Sequence, residues 1–170
     1  MRNLFFSSAG RIARPQFLIG FVCVSVFVFA GNTLLRALGT SMTGFYIALF
    51  FPFLAIYMLY CVYGKRLHDM GYTVRPFIVM IILEIVAVLF VMLMFGGADY
   101  FAEFSQFERK EAIDPAVTQE IIARYQAKIQ ANMPIIRPLM LAVPLLFTFW
   151  VGTAKSEAQT NDYGPVPANV

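Results

Sequence analysis

The run Pro76-Phe77-Ile78-Val79-Met80-Ile81-Ile82-Leu83-Glu84-Ile85-Val86-Ala87-Val88-Leu89-Phe90-Val91-Met92-Leu93-Met94-Phe95-Gly96-Gly97 carries a single charged side chain, Glu84. A helix crossing the hydrocarbon core of a bilayer needs about 20 predominantly apolar residues, since each adds about 1.5 Å to a path of about 30 Å. A half-buried strand or helix of a soluble domain would alternate apolar with polar residues at a period of 2 or 3.6. No such alternation interrupts this run. Pro76 suits the first turn of a helix, where its missing N–H is not needed, and Gly96-Gly97 closes the stretch. The run reads as a membrane span.

Working outward, the rest of the chain follows the same pattern. Of its 170 residues, 59% are hydrophobic and 14% are charged, against roughly 45–50% and about 25% in a soluble domain. The excess is gathered into long stretches. Span 1 covers about residues 16–38, span 2 about 43–63, span 3 is the run just quoted at 76–97, and span 4 covers about 135–153. Tyrosines at both ends of span 2 suit the water interface, as does Trp150 in span 4. Pro52, Pro138 and Pro144 predict kinks, which neighbouring helices in a membrane tolerate. The basic head before span 1 is long for a cleaved leader and three more spans follow, so span 1 is expected to be retained. Residues 1–170 are expected to form one integral membrane domain, an all-α four-span helical bundle.

Lysine and arginine in short flanks set orientation. Arg2, Arg11 and Arg14 precede span 1; Lys65, Arg66 and Arg75 lie between spans 2 and 3; Lys155 follows span 4. The loop between spans 1 and 2 has only Arg36. Both termini are therefore expected in the cytoplasm. The outer segment, residues 98–134, mixes Arg109, Lys110, Arg124 and Lys128 with Asp99, Glu103, Glu108, Glu111, Asp114 and Glu120. Asp114-Pro115 marks a helix start. Val117, Ile121, Tyr125, Ile129 and Met133 then recur every four residues, which predicts an amphipathic helix between spans 3 and 4, with Glu120 and Arg124 paired along it. That helix either lies on the bilayer or bundle or offers a docking face to a partner.

Composition also narrows function. The net charge of +3 forms no basic stripe of the kind nucleic-acid binding requires. His68 is the single histidine, so no metal site is expected. Cys23 and Cys61 fall in or at the end of apolar runs and read as small hydrophobes. No phosphate-cradling loop or activated nucleophile stands out, and no cofactor is implied.

Two polar patches remain, Phe5-Phe6-Ser7-Ser8-Ala9-Gly10-Arg11-Ile12-Ala13-Arg14-Pro15-Gln16-Phe17-Leu18 and Lys65-Arg66-Leu67-His68-Asp69-Met70-Gly71. With the C-terminal Asn161-Asp162-Tyr163-Gly164-Pro165-Val166-Pro167, they resemble the signature of the bacterial inner-membrane family of domain of unknown function 805, the YhaH-like proteins. That family's pattern runs Gly-Arg-Ile-x-Arg before the first span, Arg-Arg-Leu-His-Asp-x-Gly between spans, and Asn-x-Tyr-Gly-Pro-x-Pro near the end. Leu18 stands here where tryptophan is usual. Thr73-Val74-Arg75 replaces Ser-Gly-Trp, and the outer segment is longer. The resemblance implies a polytopic protein of the bacterial inner membrane and assigns no activity.

All three motifs fall on the cytoplasmic side of the expected topology. Two readings of them stay open. In one, a hairpin between spans 2 and 3 satisfies its own polar groups: Asp69 accepts from Arg66 or from an arginine of the first patch, Gly10 and Gly71 permit tight turns, and the Tyr-Gly-Pro turn folds over this polar clasp. In the other, Arg11, Arg14, Lys65, Arg66 and His68 hold the phosphate of an anionic lipid head group. A catalytic His68–Asp69 pair is disfavoured, because neighbours on a helix point about 100° apart. Glu84, an ionisable group inside a span, should face the bundle and bond Asn32, Ser25 or a tyrosine. The expected role is therefore non-enzymatic: a membrane-interaction or envelope-associated protein in contact with the bilayer and anionic phospholipid, with a second copy or a membrane protein as partner. The alternative is a small oligomeric transporter or channel subunit using Glu84.

Overall fold

A computed structural model describes residues 2–39, 41–107 and 114–167. The loop charges Glu108, Arg109, Lys110 and Glu111, and the side chain of Arg2, lie outside the described residues. The architecture is all-α. A short helix α1 (Arg2–Phe5) precedes α2 (Arg14–Leu38), α3 (Met42–Asp69) and α4 (Arg75–Met92). A kinked connection (Leu93–Gly97) leads into α5 (Ala98–Ser105), and α6 (Pro115–Thr153) follows. Among the described residues the sole β pairing is an isolated bridge between Asn161 and Gly164.

Four stretches are long and apolar enough to cross a membrane: Arg14–Leu38, Met42–Asp69, Arg75–Ser105 and Pro115–Thr153. Their large apolar side chains face outward, with Phe29 75% exposed and Phe149 and Leu146 each 70% exposed. Water would penalise so much apolar surface, whereas lipid accepts it.

Local chemistry sets the helix ends. At the start of α2 the Gln16 side chain reaches back and accepts the Ala13 N–H at 3.2 Å. Ser41 caps α3 by accepting from the Gly44 N–H at 3.1 Å. Asp114 caps α6, its Oδ1 accepting from the Ala116 N–H at 2.8 Å, as the Asp-Pro pair predicts.

The chain divides into two compact units. The first comprises residues 1–79 and 148–170. Its core lies between α2 and α3, where Phe17, Val24, Cys61, Val62 and Leu67 are fully buried. Phe17 meets the Tyr63 ring edge-on with centroids 5.1 Å apart. Small residues let the two helices approach, as is usual in membranes: a Cβ on Gly20 would lie 3.1 Å from Val62, and one on Gly31 only 2.0 Å from the Phe51 ring.

The second unit comprises residues 80–147. Here the helix that begins at Arg75 does not stop at Gly96-Gly97. It kinks through non-helical Phe95 and Gly96, the latter at φ 129°, and resumes as α5. The amphipathic helix expected before span 4 and span 4 itself form one continuous helix of 39 residues, with Pro134, Pro138 and Pro144 inside it. Each proline removes one backbone hydrogen bond, and in an apolar setting those losses do not end the helix. The apolar stripe of α6 packs within this unit: Ile121 is 4% exposed and Tyr125 lies 5.3 Å from Tyr100 of α5. Arg124 pairs with Glu103 at 2.9 Å rather than with Glu120, and Lys128 pairs with Asp99.

Candidate functional site

The polar motif expected to form a hairpin is helical. Lys65, Arg66, Leu67, His68 and Asp69 are the last residues of α3, and all are buried. Gly71 supplies the stop. At φ 79° it takes a left-handed conformation, its N–H bonds the His68 carbonyl at 3.1 Å, and the Tyr72 N–H reaches the Leu67 carbonyl at 2.9 Å. This double closure satisfies carbonyls that a helix end leaves open. It also fixes Arg66 and Asp69 one turn apart on one face.

Three segments of the first unit meet there. Asp69 is fully buried and both its oxygens are occupied: Oδ1 lies 3.1 Å from Nη2 of Arg11, and Oδ2 accepts from Nη1 of Arg66. Arg66 also donates from Nε to the Val151 carbonyl at 3.1 Å, from Nη1 to Ser156 Oγ at 2.9 Å and from Nη2 to the Ala154 carbonyl at 2.5 Å. Arg11 bonds the carbonyls of Gln159 at 2.7 Å and Glu157 at 2.6 Å. Two guanidinium groups on one carboxylate leave excess positive charge in a buried place, and backbone carbonyl dipoles of the tail supply the remaining acceptors.

The tail is held by further contacts. The Glu157 N–H donates to the Asp69 carbonyl at 2.8 Å. Asn161 donates from Nδ2 to the His68 carbonyl at 3.0 Å and to Glu157 Oε2 at 2.6 Å. Its Oδ1 accepts the Tyr163 N–H at 3.0 Å, an Asx turn. That turn lays the Tyr163 ring flat on the His68 imidazole, with centroids 3.8 Å apart and planes 1° from parallel. His68 Nδ1 faces the Gly10 carbonyl at 3.3 Å, so Nδ1 carries the hydrogen in this contact. Gly10, at φ 92°, makes the turn that presents this carbonyl. His68 and Asp69, adjacent in sequence, thus serve different partners.

The remaining candidates are placed differently. Arg14 is exposed and donates from Nε to the Ala154 carbonyl at 3.0 Å. Lys65 is 4% exposed and borders a groove of about 440 Å³ with Arg11, Leu4, Ile12, Gln16 and Ile19. Glu84, in the second unit, has a buried Oε2 with no hydrogen-bond partner among the described residues. Ser25 and Asn32, its expected partners, donate to their own helix, to the Phe21 carbonyl at 2.9 Å and the Val28 carbonyl at 2.8 Å. Among the described residues no cluster of three or more His, Cys, Asp or Glu side chains is placed to hold a metal.

Glu157 and Ser156 were not legible as members of the clasp. Neither belongs to a motif, and Glu157 acts partly through its backbone. Asn161 carried a signal, since Asn two residues before an aromatic and Gly-Pro is a turn pattern.

A family model described as "Protein of unknown function (DUF805)" matches residues 5–106. The match takes in the first two motifs and ends near the close of α5. No curated protein matches the chain, and no solved structure does.

Proposed function

The chain belongs to the DUF805 family, and from that premise we propose that it is a non-enzymatic protein of the bacterial inner membrane. Both termini lie in the cytoplasm in this reading. The Arg11–Asp69–Arg66 clasp ties the N-terminal patch and the C-terminal tail to the end of α3 at the inner interface, and the basic groups at its border contact anionic phospholipid. One observation carries the proposal: the donors of Arg11 and Arg66 are directed onto Asp69 and tail carbonyls. Spent in that way, they favour holding the chain's own tail over capturing a substrate. Lipid contact then falls to exposed Arg14 and to the Lys65 groove. Basic side chains near a cytoplasmic leaflet are attracted to its anionic lipids. Native mass spectrometry of the purified chain tests this. Retention of phosphatidylglycerol over phosphatidylcholine supports it, and equal retention of the two contradicts it.

A second reading rests on a different observation. The buried Oε2 of Glu84 suits an ionisable group in a small oligomeric transporter or channel subunit. Proton-driven dye quenching in liposomes tests it: flux that is lost in Glu84→Gln supports transport, and absence of flux from the wild type at any pH removes it.

A further inference from the structure

The groove beside Lys65 lies within the first unit and shares only Arg11 with the clasp. Its lining combines two chemistries. Lys65 brings an ammonium group on a side chain that is almost wholly buried. Gln16 also lines the groove. Its Oε1 is fixed by the Ala13 N–H at 3.2 Å, so its NH2 points elsewhere, and that NH2 makes no hydrogen bond among the described residues. Leu4, Ile12 and Ile19 add an aliphatic wall, and among the described residues no carboxylate borders the groove. Ile19 belongs to the span-length helix α2 and is 54% exposed, so in a bilayer the aliphatic wall would be open to acyl chains.

Cationic and amide donors beside an aliphatic wall complement a phosphate with a hydrocarbon chain attached. Inorganic phosphate would use the donors and leave the wall without an occupant. We propose that this groove lodges one anionic phospholipid, its phosphate on Lys65 and Gln16 and the start of an acyl chain along Ile19. The inference rests on the anionic-lipid reading above and assigns it a location.

The test uses the full chain in detergent, incubated with equimolar phosphatidylglycerol and phosphatidylcholine and read by native mass spectrometry. The wild type should retain phosphatidylglycerol preferentially. Lys65→Gln should weaken that retention about fivefold, the contribution of one basic side chain near an anionic surface, and Lys65→Arg should restore it. Because Lys65 is buried and its loss could disturb folding, Ile19→Trp provides a second variant. It fills the aliphatic wall, leaves every charge in place, and should lower retention comparably. Normal retention by both Lys65→Gln and Ile19→Trp overturns the groove while leaving lipid contact elsewhere intact. Displacement of the lipid by inorganic phosphate alone also overturns it. A wild type with no preference for phosphatidylglycerol contradicts the wider reading instead.

Discussion

Arg66 and Asp69 lie one helical turn apart at the end of α3 and hold each other where water does not reach, each side chain 0% exposed. On a solvated helix such a pair contributes about 0.3–0.5 kcal/mol. Here the carboxylate also anchors Arg11, so its removal strands two buried cations. Breaking a buried pair from one side costs about 3–5 kcal/mol. Asp69→Asn should therefore lower the thermal midpoint of the purified protein sharply. Asp162→Asn, an exposed tail acid, should leave it nearly unchanged. Equal midpoints for the two variants would contradict a structural role for Asp69.

The flat stack of Tyr163 on His68 uses the ring alone, since the Tyr163 hydroxyl makes no hydrogen bond among the described residues. Aromatic pairs contribute about 0.5–1.5 kcal/mol beyond their buried area. Tyr163→Phe should preserve resistance of the tail to limited proteolysis, while Tyr163→Ala should make cleavage between residues 154 and 164 faster. Identical cleavage in both variants would show that the stack does not hold the tail.

Backbone geometry gives a third expectation. Gly71 has a φ of 79°, and a Cβ there would lie 3.1 Å from Glu157 Oε2. The left-handed conformation costs a side chain roughly 1–2 kcal/mol. Gly71→Ala should destabilise by about that amount in a denaturant titration. Gly39→Ala, also at positive φ but with open space around it, should show the conformational cost without added disturbance of the tail. A Gly71→Ala protein of wild-type stability would refute the helix stop described here.

Orientation is open to direct measurement. Reporter fusions at residues 1, 105 and 170 should read cytoplasm, periplasm and cytoplasm. Periplasmic readings at both termini would invert the topology and move the clasp to the other side of the membrane, and a split reading would contradict four crossings.

Much of the fold was legible because charge is so nearly absent from the spans: the apolar run from Pro76 and the cap at Asp114 could be read directly, whereas Gly96-Gly97 marks a kink and not the end of the helix. The end of α3 could not be read in that way. Lysine, arginine, histidine and aspartate in close succession look like a solvated loop. They remain helical because the tail, distant in sequence, brings carbonyls from Ala154, Glu157 and Gln159 to the arginines. A local pattern cannot announce acceptors that arrive from nearly 90 residues away. The same limit explains Arg124, whose expected neighbour Glu120 loses to Glu103 across the helix pair. It also explains α6, since Pro134 signals a bend and the packing around it decides whether the helix continues.

Asp69 holds the tail through Arg11 and Arg66, and hydrogen–deuterium exchange in Asp69→Asn tests that hold. In the wild type the amides of Glu157, Asn161 and Gly164 are bonded, to the carbonyls of Asp69, Gly164 and Asn161 respectively, and should exchange slowly. In the variant those three should exchange quickly while the amides of α2 and the first half of α3 remain protected. Unchanged protection of the tail amides in Asp69→Asn would contradict the account.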